Sequence, residues 1–131
     1  MILGLTLTFS SIHGTLNHLL VVDRAYISRI EGKDHRLKSL DQILYEKLFQ
    51  LKEARIEEDE RLVDLVNNLS EENIHKEITY KGFETGNQTY TINLILITLL
   101  NHQTHHRGQI HNMLSQAGIK PPQIDIPDFI T

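Results

Sequence analysis

The chain has no cysteine among its 131 residues, which excludes disulfides, thiolate metal sites and a cysteine nucleophile. It also lacks a basic excess. Thirteen Lys and Arg stand against seventeen Asp and Glu, a formal charge of −4, whereas non-specific nucleic-acid binding needs clustered cations. No stretch reaches the length and apolarity of a membrane span. The apolar opening "MILGLTLTF" carries neither the basic flank nor the small-residue cleavage site of a signal peptide. Repeats, low-complexity tracts and linkers are absent too. The expectation is one soluble, cytoplasmic domain spanning residues 1–131, of ordinary globular composition.

What is present is helical periodicity. A first segment from about Ser11 to Ile30 places Ile12, Leu16, Leu19, Leu20, Ile27 and Ile30 on one face, and Gly32 ends it. A second opens at Ser39, with Gln42 three residues on as a capping box. Its stripe runs through Leu40, Ile43, Leu44, Leu48, Leu51, Leu62, Leu65, Val66 and Leu69. "ITYKGFETGNQTYTI" then combines β-favouring Thr and Tyr with two glycines, which predicts a short hairpin. A third helix is expected from about Thr91 to Ala117, closed by Gly118 and barred from continuing by Pro121-Pro122. The tail "IDIPDFIT" is expected to pack back onto the body.

Polar residues interrupt these stripes. At roughly 100° per residue, His106 falls in line with Ile95, Leu99, Ile110 and Met113, and His102 lies one turn before it. An i, i+4 pair of inward imidazoles suits convergence on one metal ion. Two hydrogen-bonded core histidines are the alternative. His105 and His111 turn toward other sides, His75 reads as surface or supporting, and His35 sits in a loop. A third ligand would come from the first helix, where His18 is better placed than His13 but only at the edge of the stripe. Asp23 lies mid-stripe, and Arg55 and Glu58 continue the second helix's apolar line. They form an Asp23–Arg55 or Arg55–Glu58 ion pair, or else Asp23 or Glu58 orients a ligand histidine.

"SIHGTLNHLLVVDR", "SLDQILYEKLFQLKEARIEEDERL" and "LLNHQTHHRGQIHNMLSQAG" together resemble the DinB family of damage-inducible bacterial proteins, within the wider DinB/YfiT-like metalloenzymes. The likeness covers roughly Phe9 to Ile130, and the H-x₃-HRGQ block with an upstream N-H-L-L is its specific part. It implies an all-α, up-down four-helix bundle with a short β-hairpin before the last long helix. It also implies a divalent metal, Zn²⁺ or Ni²⁺, held by His18, His102 and His106. Three imidazoles suit either ion and leave one position open.

Similar sites in the superfamily imply a thiol-dependent S-transferase, using a low-molecular-weight thiol, or a hydrolase. A non-catalytic stress protein with a structural ion is the alternative. Arg107 is a candidate for orienting an anionic substrate, and Gln109 for bonding a ligand or capping the pocket wall. No catalytic base or nucleophile stands out. The family's name suggests DNA, but it reflects induction, and the acidic balance argues against a nucleic-acid partner; with no membrane span, no membrane partner is expected either.

Family members carry a further helix before the "SIHGTLNHLL" segment, so the first bundle helix is expected to be missing here. "INLILITLL" is apolar nearly all round and needs cover on more than one side. A homodimer is therefore expected, and light scattering at micromolar concentration checks it; a stable monomer overturns the expectation.

Overall fold

The computed structural model describes residues 11–130; the apolar opening segment lies outside them. Three long helices, α1 (Ile12–Glu31), α2 (Leu48–Asn67) and α3 (Ile92–Gln116), form the fold with a two-stranded hairpin of β1 (Glu77–Lys81) and β2 (Asn87–Thr91). The strands are antiparallel, with Glu77 opposite Thr91 and Lys81 opposite Asn87. β2 runs straight into α3, whose N-cap is Thr91. The architecture is all-α with a hairpin before the last helix, as the spacing and the resemblance predict.

Local chemistry explains the ends of α1 and α3. The Ser11 hydroxyl accepts from the Gly14 amide at 2.9 Å and caps α1. Gly32 leaves it in the left-handed region at φ 71°. α3 closes through Gly118 at φ 78°, with the Ile119 amide returning to the Leu114 carbonyl at 3.0 Å. This is the six-to-one bond of a Schellman turn.

α1 is the central element, because both other helices pack on it. Leu19, Leu20, Val21 and Val22 are all buried in succession, so α1 is covered on more than the single stripe read from its sequence. α3 contributes Ile92, Ile95, Leu96 and Leu99 to the core, and α2 only Leu51 and Ala54. Leu94, Ile97 and Leu100 on α3 stay exposed, which leaves part of "INLILITLL" without cover among the described residues.

Three expectations are corrected. α2 starts at Leu48 rather than Ser39, and Leu48 and Val66 of its predicted stripe are exposed. The reason is Asn17, which is fully buried on α1. Its Oδ1 accepts from the Leu44 and Tyr45 amides at 2.9 and 3.0 Å, and its Nδ2 donates to the Tyr45 carbonyl at 3.2 Å. Amides held by a side chain are withheld from the i→i−4 bonds that a helix begun at Ser39 needs at Leu44 and Tyr45. Ser39 and Gln42 consequently form no capping box; Gln42 instead accepts from the Lys38 amide through Oε1 at 2.9 Å. Finally, the tail does not pack back: Ile126, Phe129 and Ile130 are each more than 70% exposed. Pro121 and Pro122 hold the chain off the helical path beyond α3.

Asn17→Ala is expected to lower stability by about 1–3 kcal/mol for each backbone amide left without a partner. The urea midpoint of unfolding measures this, and a loss under 0.5 kcal/mol (a rough threshold for an ordinary surface change) counts against the assigned role.

Candidate metal centre

The packing of α1 against α3 brings His18, His102 and His106 together, although His18 and His102 are separated by 84 positions in sequence. Ring centroids lie 4.9 Å apart for His18–His102, 4.7 Å for His18–His106 and 4.4 Å for His102–His106. One ring nitrogen from each lies within 4.8 Å of the other two. Among the described residues no fourth histidine or carboxylate joins the group.

Neighbouring groups set the direction of each imidazole. His18 Nδ1 donates to the Leu40 carbonyl at 2.8 Å. A carbonyl only accepts, so this proton is assigned and Nε2 carries the lone pair. His106 Nδ1 meets Gln109 Oε1 at 2.8 Å, which turns its Nε2 the same way. The Leu40 carbonyl is in place because Asn17, next to His18, pins the chain at Leu44 and Tyr45. His102 Nε2 lies 3.0 Å from His18 Nε2, while its Nδ1 is buried without a hydrogen-bond partner.

Burial pushes all three pKa values down. It outweighs the Leu40 bond at His18 and the Gln109 bond at His106. At His102, burial and then the neighbouring His106, His18 and His105 bring the value to about 3. The cluster is thus neutral near pH 7 and converges three imidazole ring nitrogens on one region. That donor set fits a divalent cation, which accepts several nitrogen lone pairs at once.

The triad opens onto a cleft of about 910 Å³ bordered by α1, the 38–41 segment, α3 and the 82–88 end of the hairpin. Val22, Ala25 and Tyr26 continue its wall from His18, and Phe83 closes it from the hairpin loop. His105 reaches the same cleft instead of turning away from it. His75 lies in a short 3₁₀ turn and is exposed, and His111 is half-buried; neither is part of the triad. His13 Nε2 donates to the Tyr45 carbonyl at 2.9 Å, beside Asn17.

The charged residues divide differently from the alternatives in the sequence. Asp23 Oδ2 meets Arg55 Nη1 at 2.6 Å and Gln103 Nε2 at 2.6 Å. Glu58 pairs with Arg24 at 3.4 Å and Arg61 at 2.9 Å rather than with Arg55. Neither carboxylate supplies the orienting contacts of the triad, which come from Leu40 and Gln109. Arg107 also leaves the expected role: its Nη1 donates to Gln103 Oε1 at 3.2 Å, and it is not part of the cleft wall. Sequence reasoning missed Asn17, Leu40 and Gln103. Asn17 stands beside His18 in "LNHLL", and a buried amide next to a candidate ligand was its only signal.

The family model for the DinB family matches residues 5–131. Protein DinB of Bacillus subtilis (strain 168) is 33% identical over 119 residues, which cover 84% of this chain and 66% of that protein. The chain therefore spans just under two-thirds of the length of that relative. No solved structure matches it.

The lowered histidine values predict a pH dependence for metal-free protein. Unfolded histidines titrate near 6.5, and the native cluster binds protons only at lower pH. Stability is therefore fully present above about 6.5 and is lost as pH falls toward the folded values, about 3 for His102. Asp23 opposes this, since burial raises its carboxyl to about 6 and favours the native state on acidification. Three histidines against one carboxylate leave a net loss. Thermal unfolding of chelator-treated protein should show a falling Tm from pH 7 to pH 5, with a shallower fall in His102→Phe; a flat profile in the wild type contradicts the assignment.

Proposed function

The chain belongs to the DinB family, and from that membership we propose that it binds one divalent ion, Zn²⁺ or Ni²⁺, through His18, His102 and His106. On this reading it is a metal-dependent enzyme acting on a small molecule, of the thiol-dependent S-transferase or hydrolase type. The observation that carries it is the open side of the triad. Three neutral imidazoles face a cleft, and no fourth side-chain donor completes the set among the described residues. A structural ion is normally enclosed by four protein ligands, whereas a catalytic one keeps a position for water or substrate. When bound there, the ion would lower the pKa of a water or thiol and so supply a nucleophile near neutral pH.

The protein's own groups would prepare that site. Leu40 and Gln109 hold two rings in the tautomer that presents Nε2, an outer arrangement that strengthens ligand basicity. Val22, Ala25, Tyr26 and Phe83 give the adjoining wall an apolar surface suited to the non-reacting part of a substrate. The exposed Leu94, Ile97 and Leu100 support the homodimer expected from the sequence. For all described helices, none is long and apolar enough to cross a membrane.

Elemental analysis of protein purified without an affinity tag is expected to find one zinc or nickel ion per chain. His18→Ala and His106→Ala should each reduce metal content to a small fraction of this while retaining helical circular dichroism. Stoichiometric metal in either folded variant would remove that residue from the ligand set.

A further inference from the structure

The cleft contains a cation that the triad does not use. Arg29 lies on the same line of α1 as His18, Val22 and Ala25, all four bordering the cleft at spacings of i, i+4, i+7 and i+11. Three rings hold its guanidinium: Tyr80 at 4.1 Å from the centroid, and Tyr26 and Phe83 at 5.5 Å each. One hydrogen bond, from Nη2 to the Lys81 carbonyl at 3.4 Å, ties it to the hairpin. The other arginines of the helices have anionic or amide partners: Arg24 and Arg61 reach Glu58, Arg55 reaches Asp23, and Arg107 reaches Gln103. Among the described residues Arg29 has no carboxylate within ion-pair distance.

Such a group is arranged to receive an anion. A guanidinium stacked on aromatic faces keeps its edge N–H groups available for the two oxygens of a carboxylate. Partial burial removes competing water and strengthens the contact. The aromatic contacts also restrict the long side chain before a ligand arrives, so less entropy is lost on binding.

We propose that Arg29 is the anion-recognition residue of this cleft, and that the ligand is an elongated small molecule with a metal-seeking head at the triad and a carboxylate at Arg29. This rests on the metal-site reading above. His18 and Arg29 are about 16 Å apart along the helix axis at 1.5 Å per residue, and an arginine leaning toward the helix N-terminus shortens the gap. Val22 and Ala25 line the interval, so the middle of the ligand is apolar. Lys38 is a second cation at the cleft, and Asp41 and Glu84 are its acidic groups. Their opposed charges make the cleft selective for where an acid lies on the ligand rather than for net charge alone.

Cobalt-substituted protein and three thiol probes test the proposal. Mercaptooctanoate carries both ends, mercaptooctanol lacks the acid, and mercaptopropionate is too short to span the interval. Thiol coordination is read from the cobalt absorption spectrum and affinity from calorimetry. The wild type is expected to bind mercaptooctanoate at least about tenfold more tightly than the other two, the size of a charge-assisted hydrogen bond. Arg29→Gln should remove this preference while the cobalt–thiolate absorption is kept, Arg29→Lys should retain part of it, and Lys38→Met should leave most of it. The probe series in the wild type stands even if Arg29→Gln misfolds.

Equal affinities in the wild type, or a preference lost in Lys38→Met and kept in Arg29→Gln, overturn the role of Arg29 and leave the metal site standing. A cobalt titration with no spectral change, the same as in His18→Ala, overturns the metal site and the two-ended ligand with it.

Discussion

The arrangement of the three helices rests on one carboxylate. Asp23 is completely buried on α1 and receives Arg55 from α2 and Gln103 from α3, each at 2.6 Å. Leaving any of these groups unpaired in the interior costs several kcal/mol, so α2 and α3 have strong reason to keep their rotation and register against α1. Hydrophobic contact alone is less directional. Gln103 follows His102 directly, which means that the bond fixing α3 also turns His102 and, one turn on, His106 toward His18. A packing constraint thereby brings the three imidazoles together.

A second constraint works from the opposite side of His18. Asn17 supplies the hydrogen-bond partners that the 44–45 backbone would otherwise find in a helix. The segment crosses α1 in irregular form, and its Leu40 carbonyl reaches His18 Nδ1. Neighbouring residues on one helix therefore divide the work: one holds the chain in place, and the other uses a carbonyl from that chain to settle its tautomer. The cleft follows from the same arrangement, since the irregular segment and the hairpin loop wall it.

The limits of sequence reasoning fall where these long-range bonds act. α3 was legible within a residue or two at each end, because its apolar periodicity, Gly118 and the proline pair are local signals. The i, i+4 pairing of His102 and His106 was legible for the same reason. The start of α2 was not. Ser39 and Gln42 have the spacing of a capping box, yet Asn17 takes the downstream amides from 27 and 28 positions away. Arg107 looked suited to an anion from its place beside His106, but Gln103 lies one turn before it and takes its guanidinium. Arg29 drew no attention in the sequence, because its aromatic partners Tyr80 and Phe83 arrive with the hairpin.

The sequence by itself determined the helical class, the hairpin before the last helix, the two-histidine face of α3 and, through the resemblance of its motifs, the family. Each depends on residues within a few turns of one another or on a linear pattern. Only the tertiary structure decided that His18 meets that pair, which carbonyl and amide orient the rings, and which arginine faces the cleft. These depend on side chains from α1, the 33–47 segment, the hairpin and α3 reaching one place, and periodicity places a side chain on a face of its own helix without stating what lies opposite.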